Sequence, residues 1–280
     1  MKKSFLIFII LISTYTIFPQ YRTPGEYYNQ SIFDLVNEKE EKIDIGLWAL
    51  IIAKEYDSTI DVQKYLIQLN LIAAEIKRML AGREKDMDKF LATKMYLYDA
   101  GKWNDNKPFS YDLKDPFGNI LEHQFLSNYV DTKKGNCVSM PTLFLALMER
   151  IDPSVPFIGV KAPLHLFCRL KDRQTGDIWN VETTNGGHPA RNEWYIDQMN
   201  ISQTALKSGL YLKDLTKKEY LAELIGPLVH KYKTSKGKIY YHDEADKYIN
   251  KAFSLGWKPE SKEERQKYLN SVKAELQKLN

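Results

Sequence analysis

Apolar residues along this chain change rhythm three times. From Ile45 to Tyr98 they recur at three- and four-residue steps, the spacing of one helix face. Ile45 to Tyr56 carries Leu47, Leu50, Ile51 and Ile52 in this rhythm, and Asp61 to Leu80 carries Val62, Tyr65, Leu66, Leu69, Ile72, Ala73, Ile76 and Leu80. Asp57-Ser58-Thr59 separates the two and Gly82 ends the second, so a helical hairpin is predicted. A third helix is predicted from Asp86 to Tyr98, presenting Phe90, Leu91, Met95 and Leu97 and stopped by Gly101. Turn chemistry follows at Asn104 to Pro108, Asp115-Pro116 and Gly118-Asn119, and a helical pattern resumes over Ile120 to Tyr129.

Lys134-Gly135-Asn136-Cys137-Val138-Ser139-Met140-Pro141 reads as a glycine-led turn entering a helix, with Met140, Leu143, Phe144, Leu147 and Ile151 on one face. Pro141 suits a first helical turn, where backbone N–H groups lack intrahelical partners. Those N–H groups and the helix dipole favour negative charge, so a thiol delivered there has a local reason to become a nucleophile. The ordinary alternative is that Cys137 is a small buried apolar residue.

Beyond that helix the period shortens to two. Strands are predicted at Phe157 to Val160, Leu164 to Leu170 and Ile178 to Thr183. On the second, His165, Phe167 and Arg169 share one face while Leu166, Cys168 and Leu170 share the other. Lys171 to Gly176 closes a hairpin. If the hairpin is symmetric and free of bulges, Leu170 faces Asp177 and His165 stands directly opposite Glu182, within side-chain reach. After Gly186-Gly187 the chain is polar, then helical over Tyr220 to Tyr232, Asp243 to Ser254 and Ser261 to Leu279. The last two suggest a short tetratricopeptide-like unit.

The first twenty residues stand apart from this pattern. Lys2 and Lys3 precede an apolar run from Phe5 to Ile12, interrupted by Ser13, Thr14 and Thr16 before Pro19-Gln20. Such a segment reads as an export signal, with an uncleaved N-terminal membrane anchor as the alternative, because no small-x-small cleavage triplet ends it. An exported protein would be periplasmic or secreted. Residues 21–42 read as a linker into a short helix near Ile32 to Asn37. Loss of Lys2 and Lys3 with the leader lowers the formal charge from +4 to +2. Without dense basic blocks, nucleic acid is excluded as the expected partner. No glycine-rich phosphate loop is present, so no cofactor is expected. A metal site drawn from Cys137, His165, Glu182 and His188 lacks any HExxH or CxxC spacing. Cys137 and Cys168 are the two cysteines, and in an exported protein a disulfide between them is a structural alternative.

A cysteine at a helix start, a histidine on the next strand and a carboxylate on the strand after it are the parts of a Cys-His-acid triad. The stretches Gly135-Asn136-Cys137-Val138-Ser139-Met140-Pro141-Thr142-Leu143, Lys161-Ala162-Pro163-Leu164-His165-Leu166-Phe167 and Val181-Glu182-Thr183-Thr184-Asn185-Gly186-Gly187 resemble the transglutaminase-like core, most closely its SirB-type bacterial group. The resemblance spans roughly Ile45 to Gly187, including the helical lead-in and the Asp115-Pro116 turn. It implies a papain-like α+β fold with the nucleophile helix packed on an antiparallel sheet. It also implies Cys137 as nucleophile, His165 as base and Glu182 as orienting acid. Two positions depart from the group's pattern: Glu182 stands where aspartate is usual and Thr183 where proline is usual. A misplacement of about 1 Å from the extra methylene can cost on the order of a hundredfold in rate.

The expected organisation is therefore a leader at 1–20, a linker at 21–42, a helical subdomain at 43–105, a transglutaminase-like core at 106–200 and a helical extension at 206–280. The expected activity is thiol acyl transfer on amide bonds of a peptide or protein, by hydrolysis or by cross-linking. A non-catalytic envelope scaffold that binds peptide or protein partners in the same cleft is the competing reading. Side chains with ordinary alternatives are His165 capped by a carbonyl, Glu182 paired with Arg169 or a lysine, Asn180 as a substitute orienting group and His188 at the cleft edge.

Overall fold

In the computed structural model, residues 30–116, 118–234 and 242–261 are described, together with positions 266 and 270. The leader expected over residues 1–20 lies outside them, as does nearly all of the helix expected from Ser261 to Leu279. Among the described residues no helix is long and apolar enough to cross a membrane.

The fold is mixed α+β and is arranged about one buried helix. Helices α1 (Ile45–Tyr56), α2 (Val62–Leu80) and α3 (Asp86–Tyr98) come first. Asp44 and Asp61 cap α1 and α2 by accepting hydrogen bonds from Leu47 N and Lys64 N, satisfying N–H groups that a helix start leaves open. The α2 helix ends where Ala81 and Gly82 turn left-handed, at φ 49° and 83°. The helix expected at Ile120 to Tyr129 is divided in two: a 3₁₀ turn at Leu121–Gln124, then α4 (Leu126–Thr132). Phe125 between them takes an extended backbone and packs its ring 4.8 Å from that of Tyr56. Burial of that aromatic ring outweighs helix continuity here.

Two short parallel strands, β1 (Ser110–Tyr111) and β2 (Lys134–Gly135), then aim the chain into α5 (Ser139–Ile151). Helix α5 is apolar on nearly every side because it is covered on nearly every side. Beyond the single face read from the sequence, Leu145, Ala146 and Met148 are buried too. Phe144 stacks on Phe157 of the sheet at 4.9 Å, and Cys168 rests against the Pro141 carbonyl. Toward the helical side, the buried Arg150 bonds to Asp44 (2.9 Å), Asn70 (3.1 Å) and the Ala146 carbonyl (2.9 Å).

The sheet runs β3 (Phe157–Ala162), β4 (His165–Lys171), β5 (Ile178–Glu182) and β6 (His188–Ala190), in that order and antiparallel throughout. One face meets α5. The other is covered by α6 (Asn192–Gln198) and α7 (Gln203–Lys207), around Val160, Phe167, Tyr195, Met199 and Ile201. Among the described residues α8 (Lys217–Glu223), α9 (Gly226–Thr234) and α10 (His242–Ser254) follow. The single helix expected over Tyr220 to Tyr232 is thus broken before Gly226. Residues from Ser31 onward belong to one compact unit. Ile32 and Leu35 are fully buried, so the chain joins the core before the linker was expected to end.

Arg150 ties three elements together without solvent, so removing its charge strands Asp44. Arg150→Ala is expected to lower stability by about 3–5 kcal/mol, measured by urea unfolding. A loss within about 0.5 kcal/mol, the range of ordinary surface changes, would show that the network carries no such weight.

Candidate functional site

Cys137 owes its position to the residues on either side of it. Gly135 closes the β1–β2 pair, and a Cβ there would lie 2.5 Å from the Tyr129 ring and 2.8 Å from Ser139 Oγ. The glycine is thus required for close approach. Asn136 then caps α5: its Oδ1 accepts from Val138 N (3.0 Å) and Ser139 N (3.2 Å), and its carbonyl accepts from Met140 N (3.0 Å). Ser139 Oγ returns the bond by accepting from Asn136 N at 3.1 Å. These bonds form the turn that leads into α5 at Ser139, and Cys137 sits in that turn, at the entry to the helix. The amide Nδ2 of Asn136 is buried without a partner.

His165 opens β4 directly after the Pro163-Leu164 turn, in which Leu164 takes a left-handed φ of 52°. That turn points the Leu164 carbonyl at Cys137, whose Sγ lies 3.7 Å away. The thiol also stands close enough to the His165 ring to count among the influences that raise the ring's pKa. On the ring's other side, His165 Nε2 lies 2.8 Å from Glu182 Oε2. The structure thus brings Cys137, His165 and Glu182 together.

The route by which Glu182 arrives differs from the symmetric hairpin. Cys168 pairs with Val181 and Lys171 with Ile178. Asp172 N donates to the Asp177 carbonyl at 2.9 Å and Gly176, at φ 79°, tightens the turn. The loop is therefore two residues shorter than expected, and continuing the register sets Glu182 level with Phe167 and not with His165. A two-residue shift preserves the face, because strand side chains alternate with a period of two. His165 and Glu182 become diagonal neighbours, a separation that long side chains can bridge. The extra methylene of glutamate fits this diagonal.

Four hydrogen bonds fix the Glu182 carboxylate. Oε1 accepts from Thr184 N (3.0 Å) and Thr184 Oγ1 (2.5 Å), and Oε2 accepts from His165 and from the Tyr195 hydroxyl (2.8 Å). Thr183 begins the 3₁₀ turn that supplies Thr184. Burial opposes the charged form of Glu182, but His165 and these donors hold its pKa below the usual 4.5. An ionised carboxylate only accepts, so His165 Nε2 carries a proton in either state of the ring, and Nδ1 is the nitrogen that gains or loses the second. Burial likewise opposes a charged His165. The Glu182 anion with its hydrogen bond, and the neighbouring Cys137, outweigh it, raising the His165 pKa from 6.5 to about 10.

Sequence reasoning missed Tyr195. It lies thirteen residues past Glu182 in a stretch read only as polar, and no local motif announces it. Its ring stacks on Phe167 at 4.2 Å, and burial followed by the Glu182 charge raises its hydroxyl pKa. The remaining candidates lie elsewhere. Asn180 bonds Arg169 and Asn192 and does not reach His165. His188 pairs with Glu182 across β5 and β6 but is exposed and does not line the cleft. Arg169, another named partner for Glu182, bonds Asp214 at 2.6 Å. Cys168 is buried, its pKa raised by burial first and by Glu182 second, and both cysteines are free thiols. Among the described residues no group of three or more His, Cys, Asp and Glu side chains is arranged to hold a metal ion.

The thiol and imidazole border a cleft of about 620 Å³. Its walls come from the Gly118 loop, the β3–β4 turn, helices α8 to α10 and the segment Trp257 to Glu260. Glu260 Oε1 accepts from Leu164 N at 2.9 Å, so the C-terminal extension is part of the site's wall. Comparison with protein-family models, with curated proteins and with solved structures finds no match for this chain.

Glu182→Asp withdraws the carboxylate by about one bond, too short to serve Thr184, Tyr195 and His165 together. The expected loss in urea unfolding is about 1.5–3 kcal/mol. The raised His165 pKa stabilises the fold below 6.5 and ceases to do so as pH rises through about 10, while the lowered Glu182 pKa stabilises it above 4.5. The loss should therefore be greatest between pH 4.5 and 6.5 and shrink as pH rises through about 10. A pH-independent loss would contradict this coupling.

Proposed function

We propose that the chain is a papain-like, transglutaminase-type protein that performs thiol acyl transfer on amide bonds, with Cys137 as nucleophile, His165 as proton carrier and Glu182 as orienting acid. One observation carries the reading: an imidazole hydrogen-bonded to a buried carboxylate stands beside a thiol at the entry to a helix.

The proton that His165 Nδ1 holds below about pH 10 is the one the thiol gives up, so the reactive pair is a thiolate beside an imidazolium that Glu182 stabilises. The sulfur attacks the amide carbon, forming a C–S bond as the carbonyl electrons move onto oxygen. The Cys137 backbone N–H receives that oxyanion, with the partnerless Asn136 Nδ2 as second donor. When the C–N bond breaks, the leaving amine takes the imidazolium proton and a thioester remains. Water releases the acid by hydrolysis; an amine instead forms a new amide and a cross-link. The basic, apolar N-terminal run supports placing this chemistry outside the cytoplasm, in the periplasm or a secreted pool.

Alkylation by iodoacetamide, followed across pH by intact-mass spectrometry, tests the reading. Cys137 is expected to react well below about pH 8, where a free thiol is sluggish, and His165→Ala is expected to abolish that advantage. In Glu182→Gln the imidazolium loses its anion, so the advantage below about pH 8 should shrink. Free-thiol behaviour in the unaltered protein would contradict acyl transfer and favour a non-catalytic, peptide-binding scaffold.

A further inference from the structure

We infer that the cleft selects peptides with a bulky apolar residue on the acyl side of the scissile amide; this rests on the acyl-transfer reading above. The two walls beside the thiol differ in character. On one side stand Asn119, Gln124 and Asn136. Gln124 Nε2 donates to the Gly118 carbonyl at 2.8 Å, and Asn136 Nδ2 is buried and unpartnered. On the other, α8, α9, α10 and the segment after them contribute Ala222, Ile225, Val229, Ile249, Ala252 and Trp257. A peptide has amides for the polar side and a side chain for the apolar one, whereas a simple acyl chain would leave the buried amide donor unanswered.

Charge in the cleft sharpens the choice. Every charged residue among its described lining is already bonded within the chain. Lys161 Nζ donates to Glu223 (2.8 Å) and to the Lys258 carbonyl (2.9 Å), and Trp257 Nε1 donates to Glu223 at 3.2 Å. Glu260 accepts from Leu164 N, and His165 is held by Glu182. A charged substrate side chain entering this space would lose its water and meet charged groups already engaged within the chain. At about 620 Å³ the cleft has room for a large side chain together with its flanking backbone.

Gly226, the first residue of α9, lines this wall, and a Cβ added there meets nothing within 4 Å. A larger side chain at that position can therefore occupy the cleft without disturbing the core.

The test is a series of acetyl-aminoacyl chloromethyl ketones bearing Phe, Leu, Asp or Lys side chains. Each alkylates the thiolate by forming an S–C bond as chloride leaves, so the rates compare side chains at constant chemistry. Cys137 of the full chain is expected to react with the Phe and Leu reagents about tenfold or more faster than with the Asp and Lys reagents. Gly226→Leu is expected to lower the ratio of the Phe-reagent rate to the iodoacetamide rate by about tenfold. Rapid iodoacetamide alkylation with equal rates across the four ketones would overturn the apolar preference and leave acyl transfer standing. Free-thiol rates with every reagent would overturn both.

Discussion

A carboxylate removed from water must be surrounded by donors, and the contact between Glu182 and His165 depends on that requirement. Thr184 supplies two of the donors, Tyr195 a third and the imidazole the fourth. Because the anion is satisfied it stays ionised, and because it is ionised it fixes which ring nitrogen bears hydrogen. The side chains of His165 and Glu182 are only 12% and 8% exposed, so solvent screens their attraction weakly.

The rest of the fold serves to hold two things at one point: the start of α5 and the turn between β3 and β4. Helix α5 is pinned at its far end by Arg150 and along its length by Phe144 and Met148, so its first turn has little freedom. The β3–β4 turn is held from the opposite side, where Glu260 bonds Leu164 N while the Leu164 carbonyl meets the thiol. One residue, Leu164, thereby links the C-terminal segment to the sulfur. The latch of Lys161, Glu223 and Trp257 keeps that segment in place, with burial raising the Glu223 pKa and Lys161 working against the rise.

Much of this could be read from the chain before any coordinates, and the exceptions have physical causes. Helices α1 and α3 fall at their expected bounds because sustained periodicity and clear end signals agree there. Cys137, His165 and Glu182 were visible because helix starts and strand alternation are local properties. The hairpin register was not, since loop length depends on the Asp172–Asp177 closure that Gly176 permits. Its error of two residues left the site intact, where an error of one would have turned Glu182 to the opposite face. Tyr195 and the apolar wall of α8 to α10 depend on packing between distant segments, which no single-segment pattern encodes.

The central claim is that a buried glutamate keeps one histidine protonated beside a thiol, and nitrogen NMR of the His165 ring in the unaltered protein tests it most directly. A ring that holds both protons until the pH approaches about 10, and then retains hydrogen on Nε2, is the predicted result. A ring that titrates near the ordinary 6.5, or one whose neutral form carries hydrogen on Nδ1, would contradict the account.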